Sequence, residues 1–106
     1  MRVLLDENLP TDLAIELDGL IAATVTGEGW EGIKNGELLR RIPGRFDALL
    51  TMDRNLQYQQ NIASLSFGIL LVRAPSNRMV DLRPLLPSIQ EQLRGIQPGE
   101  LRVVGA

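Results

Sequence analysis

Five short apolar runs punctuate this chain, and the segments between them carry apolar residues at helical spacing. The runs are Val3-Leu4-Leu5, Ile21 to Thr26, Phe46 to Met52, Phe67 to Val72 and Leu101 to Val104. Each has the length of a strand, and those from Phe46 and Phe67 are apolar enough to be buried on both faces. Between the first two, Leu9, Leu13, Leu17 and Leu20 form a helical stripe, with Asn8 and Pro10 as start signals and Gly19 as the stop. Asn35 can cap a brief helix carrying Leu38, Leu39 and Ile42, which Pro43-Gly44 ends. A further helix is expected from about Asn55 to Ile62. Met79, Leu82, Leu86, Ile89 and Leu93 mark the last one, where Pro84 and Pro87 predict a kink or a late start.

Strands alternating with helices connect by crossovers, and crossovers build a parallel sheet covered on both faces. The expectation is one α/β domain over residues 1–106, a three-layer α/β/α sandwich with a mostly parallel sheet of about five strands. Pairing of the third strand with the first, with the second strand on the first's other side, opens a crevice between strands one and three. The last strand is expected at an edge.

Composition narrows the chemistry. The chain of 106 residues has neither Cys nor His, which excludes thiolate catalysis, disulfides, histidine triads and the usual zinc sites. Carboxylates, amides, hydroxyls, Arg and a hard metal remain. The formal charge is −2, so attraction to nucleic acid needs a local basic patch, although Lys34 is the only basic residue that is not Arg. The N-terminus meets Asp6 after a short apolar run, unlike a signal peptide, and no apolar run approaches the ~20 residues that cross a bilayer. The expected location is the cytoplasm.

Two of the predicted strands empty into acid, the first at Asp6-Glu7-Asn8 and the third at Asp53-Arg54-Asn55. Neighbouring strands lie about 4.8 Å apart, which brings Asp6 and Asp53 within reach of one cation. Two such anions repel unless a divalent ion intervenes, and oxygen-only ligands favour magnesium or manganese. Glu7, Asn8 and Asn55 add oxygen ligands in the same loops. Asp6, Asn8 and Asn55 are equally suited to cap the helices that follow. Asp47 sits at the opposite end of its strand and reads as structural or solvated. Gly27-Glu28-Gly29-Trp30-Glu31-Gly32 has the spelling of a dinucleotide loop but the wrong surroundings, with two glutamates where a pyrophosphate would lie. Trp30 is then either the loop's apolar anchor or a contact for a partner. Arg40, Arg41, Arg45 and Arg54 could rim the crevice with positive charge, and Gln57, Tyr58, Gln59 and Gln60 form a polar cluster with one aromatic.

The segments Leu4-Leu5-Asp6-Glu7-Asn8-Leu9-Pro10 and Leu50-Thr51-Met52-Asp53-Arg54-Asn55-Leu56 resemble the two signature strand ends of compact PIN-like domains, a family that includes toxins of VapC-type toxin–antitoxin pairs. The resemblance implies a metal-dependent ribonuclease in which Asp6, Glu7, Asp53 and Asn55 bind Mg2+ or Mn2+. Asp6, Glu37 and Asp53 would be the catalytic acids, with Glu37 or Glu7 orienting water, and Asn8, Arg54, Arg40 and Arg41 would contact RNA. Such families commonly place an acid at the opening of the helix before the Thr-x-Asp strand; Asn35 stands there, with Glu37 two residues on. The implied partners are an RNA substrate and a cognate antitoxin protein, with a homodimer also compatible and no membrane. Two other readings stand beside this one. A receiver-like phosphoacceptor domain also carries acids after strands one and three, although the chain lacks a Lys after its last strand. A non-catalytic binding module would use Trp30 and the glycine loop to contact a partner.

Overall fold

A computed structural model describes residues 1–58 and 61–105. Five strands, β1 (Arg2–Leu5), β2 (Ile21–Thr24), β3 (Ala48–Thr51), β4 (Gly68–Arg73) and β5 (Leu101–Gly105), form one sheet in the order β2-β1-β3-β4-β5. Every neighbouring pair is parallel. The chain steps outward from β1 to β2, then returns to β1's other side for β3 and continues to β5. This reversal at β1 and β3 is the switch point at which doubly wound sheets open a crevice at their carboxyl edge.

The pleat sends alternate residues to opposite faces, and the core divides accordingly. Val3, Leu5, Ala48, Leu50, Leu70 and Val72 point to one side. There they pack with Leu9, Leu13 and Leu17 of the first crossover and with Leu82, Ile89 and Leu93 of the last. Leu4, Leu49 and Ile69 point to the other side, against Val25, Trp30, Leu38, Ile42, Phe46, Leu56 and Phe67. The sheet is therefore covered twice, and the three-layer α/β/α arrangement expected from the alternation is the one observed. β5 lies at the edge.

The helices are shorter than the periodicity predicts. The leucine stripe of the first crossover contains only one turn of helix, α1 (Asp12–Ile15), because Leu9 and Leu17 reach the core from flanking turns. Asn8 and Asn55 do not cap α-helices: the residue preceding α1 is Thr11, and it makes no side-chain cap. Asn35 is the first residue of α2 (Asn35–Arg41) rather than its cap. In place of a helix from Asn55 to Ile62 there are two 3-10 segments, Arg54–Tyr58 and Ile62–Ser64; Gln59 and Gln60 lie outside the described residues. The expected kink is present. Helix α3 (Met79–Leu82) gives way to a 3-10 turn at Arg83–Leu85, and α4 (Leu86–Gly95) begins anew with Pro87 in its first turn. A proline there lacks only an N–H that has no partner within the helix.

Trp30 resolves as the anchor of its loop. It is 9% exposed, stands edge-on to Phe46 at 6.3 Å, and is flanked by the guanidinium groups of Arg41 and Arg45 at 5.7 and 5.1 Å. Asp47, at the amino edge, accepts the Arg2 N–H at 2.8 Å and so ties β1 to the start of β3. No helix among the described residues is long and apolar enough to cross a membrane.

The turn into β5 depends on Gly99. Its φ is +81°, and a Cβ there would come within 2.6 Å of the Ala63 carbonyl oxygen. Strain of this kind costs about 1–3 kcal/mol. Gly99→Ala is expected to lower the urea midpoint by a corresponding amount with an unchanged slope, as followed by circular dichroism.

Candidate functional site

The register of β1 and β3 pairs Leu5 with Leu50, so the next residues, Asp6 just beyond β1 and Thr51 at the end of β3, stand side by side. The Asp6 N–H still donates to the Leu50 carbonyl at 2.9 Å, which extends the ladder one residue into the loop. Thr51 is fully buried, and a buried hydroxyl must be satisfied. It donates to Asp6 Oδ2 at 2.8 Å, accepts the Asp53 N–H at 3.0 Å, and takes a longer bond from Asn8 Nδ2 at 3.4 Å. One hydroxyl thus uses its single donor and both acceptor positions to join the two acidic loops.

Asn8 completes the clamp. Its Oδ1 accepts the Met52 N–H at 3.1 Å, so its amide lies across the gap between β1 and β3 with both ends in use. The Asn8 carbonyl in turn accepts from Asn77 Nδ2 at 3.1 Å. Its amide locks the two loops together through these internal partners.

Asp53 is held from two sides. Oδ1 accepts the Asn55 N–H at 2.9 Å, an Asx turn that opens the 3-10 segment, while Oδ2 accepts from Asn35 Nδ2 at 2.7 Å. Asn35, expected as a helix cap, instead delivers its amide from the start of α2 to the second acid. Asp6 is similarly engaged, with Oδ1 accepting the Glu7 N–H at 2.8 Å. Each of the four carboxylate oxygens therefore has one protein donor and retains capacity for another partner.

Asp6 is only 8% exposed. Burial pushes its carboxyl above the usual carboxylate range; the hydrogen bonds from Thr51 and the Glu7 N–H oppose this, and the charges of Asp53 and Glu7 add to it. The pair thus carries unbalanced negative charge at the sheet's carboxyl edge.

The other expected site residues have different partners. Glu7 Oε1 accepts the Gly32 N–H at 2.7 Å, strapping the glycine loop to the end of β1. Glu37 binds Arg40 at 2.8 Å and Arg41 at 3.1 Å along the side of α2, and these contacts hold its carboxyl below the ordinary range. Among the described residues, no three acidic side chains gather closely enough to form a metal cluster, so neither Glu7 nor Glu37 joins Asp6 and Asp53 in a three-acid set. Arg40 and Arg41 are occupied by Glu37, whereas Arg54 faces a cavity farther along the same edge. Asn55 contributes its backbone to Asp53 and is exposed. Thr51 was not among the expected site residues. The signal for it was a hydroxyl closing an otherwise apolar strand two residues before an acid.

No family model, curated protein or solved structure was found to match this chain.

Thr51→Val keeps the shape and removes the hydroxyl, leaving Asp6 Oδ2 and the Asp53 N–H without their shared partner. Loss of such buried bonds costs about 1–3 kcal/mol, and chemical denaturation should show that loss while the fold, judged by circular dichroism, persists. A second expectation concerns pH in metal-free protein. Because the folded state holds the Asp6 proton more tightly than the unfolded chain, this group's contribution is full below its ordinary value of 3.8 and is lost as pH rises through the higher folded value. Thermal unfolding of the native chain measured against Asp6→Asn should show the difference falling across that window; a difference that rises with pH would mean Asp6 is stabilised as the anion.

Proposed function

We propose that this chain is a PIN-like, metal-dependent endoribonuclease, the toxin half of a toxin–antitoxin pair, with its ion held by Asp6 and Asp53. The observation that carries the reading is the joining of two acids, distant in sequence, through the Thr51 hydroxyl at a sheet switch point. The ribonuclease and antitoxin parts rest on the likeness of the two strand-end motifs to PIN-like domains.

The donor set suits a hard ion. Both residues offer carboxylate oxygen alone, Asp6 is buried beside the charges of Asp53 and Glu7, and Mg2+ is commonly held by one or two carboxylates while it keeps several waters. Once bound, such an ion stabilises charge on a phosphoryl group and makes water a better nucleophile at neutral pH. The chain's own residues do the positioning. Thr51 and Asn8 fix the spacing of the two loops, the Glu7 N–H orients Asp6, and Asn35 with the Asn55 N–H orients Asp53. In this reading Glu37 stabilises α2 through its arginines and takes no part in the chemistry.

One observation favours a second reading, the non-catalytic module. Asn35 presents an amide to Asp53 where an acid would be expected, which partly satisfies that carboxylate without metal and lowers the charge available to bind one. Calorimetry with Mn2+ separates the two. On the leading reading the native chain binds one ion, Asp6→Asn and Asp53→Asn each abolish binding, and cleavage of single-stranded RNA is lost in both. Binding that is unchanged in both variants removes the proposed site, and a native chain that takes up no ion favours the module.

A further inference from the structure

A cavity of about 510 Å³ opens at the carboxyl ends of β4 and β5, and it shares the sheet edge of the acidic pair without using it. Its charged lining is Arg54, Arg73 and Asp81. Arg54 belongs to the 3-10 segment that follows Asp53, and Arg73 is the last residue of β4. Arg73 Nε is buried and has no hydrogen-bond partner, and among the described residues neither arginine forms an ion pair. Two guanidinium charges left without a counterion at the wall of one cavity point to an anionic ligand that answers them. Asp81 offsets only part of the charge, and one of its oxygens already accepts the Ser76 hydroxyl.

The remaining wall is apolar. Pro75, Pro84 and Leu85 contribute rigid hydrocarbon surface, with the prolines coming from the loop after β4 and from the 3-10 turn between α3 and α4. Gly105, which pairs with Arg73 across β4 and β5, lines the cavity at the sheet edge. Two arginine forks beside an apolar wall match a ligand that is anionic at one end and flat and apolar at the other, and the volume lies within the ~300–1,000 Å³ usual for small-molecule sites.

We propose that this cavity binds a nucleotide, with Arg54 and Arg73 taking its phosphate and Pro75, Pro84 and Leu85 covering its sugar and base. Asp81, with an oxygen still open, accepts a ribose hydroxyl. The site needs no metal and stands whether or not Asp6 and Asp53 hold one. If both readings hold, the cavity receives a nucleotide flanking the phosphodiester at the acidic pair.

The test is calorimetric titration of the full chain with a 5′-mononucleotide and, separately, with inorganic phosphate, both in EDTA so that no divalent ion contributes. The nucleotide is expected to bind at least about tenfold more tightly than phosphate, a difference of roughly 1.4 kcal/mol. Arg54→Gln, an exposed change that spares the core, should weaken nucleotide binding by about tenfold or more. Arg73→Lys should also weaken it, because the ammonium keeps the charge and loses the fork. Arg94→Gln removes the same charge from the exposed surface of α4 and should leave affinity unchanged. The proposal is overturned if the nucleotide fails to bind at millimolar concentration. Equal binding of phosphate and nucleotide, or equal loss in Arg54→Gln and Arg94→Gln, overturns it as well. Failure of Mn2+ binding in the separate titration would leave these expectations untouched.

Discussion

The pairing of β1 with β3 is the interaction on which the rest of this molecule depends. It sets two strand ends side by side that are separated by more than forty residues of chain, and the ladder continues one step past the sheet through the bond from the Asp6 N–H to Leu50. Beyond that step the backbone has no further ladder, and side chains take over. Thr51 and Asn8 satisfy the loop groups that the end of the sheet leaves open, and in doing so they hold the two acids in one place. Backbone pairing, turn satisfaction and the geometry of the charged site are one set of contacts.

This arrangement carries an electrostatic cost. Asp6 is buried beside two other negative charges, and the protein offsets the cost with a hydroxyl and a backbone N–H rather than with a cation from its own ten arginines. Those arginines are placed elsewhere. Arg40 and Arg41 hold Glu37 on α2, Arg41 and Arg45 flank Trp30, and Arg83 pairs with Glu16. Arg54 and Arg73 stand apart at the β4–β5 end of the carboxyl edge. The edge is therefore polarised along its length, acidic at β1–β3 and basic at β4–β5. On the two proposals made above, a ligand that carries phosphate and travels with a divalent ion would meet both halves of that pattern.

The sandwich itself was legible in the residues. Short apolar runs separated by helical stripes require crossovers, and crossovers require a parallel sheet covered twice. The placement of Asp6 and Asp53 at strand ends followed from the abrupt change from Leu5 and Met52 to acid. The lengths and types of the helices did not follow. Leu9 and Leu17 keep helical spacing but bury themselves from turns, since a stripe records which residues face the core and not which backbone bonds form. The 3-10 segment at Arg54–Tyr58 likewise arises because Asp53 turns the chain sharply through its own side chain, a local contest that periodicity does not register.

By itself, then, the amino-acid order determined the layers, the parallel sheet, the edge at which the acids emerge and the exclusion of thiol and imidazole chemistry, because hydrophobic period and residue type act locally and independently of partner choice. Which polar groups meet was decided only in three dimensions. Asn35 reaches Asp53, Asn8 bridges two strands, Glu37 turns to its own helix, and Arg73 keeps a buried N–H unpaired at a cavity wall. Hydrogen bonds and ion pairs are short-ranged and directional, so their partners are set by the final angstroms of packing, and spacing along the chain carries no record of them.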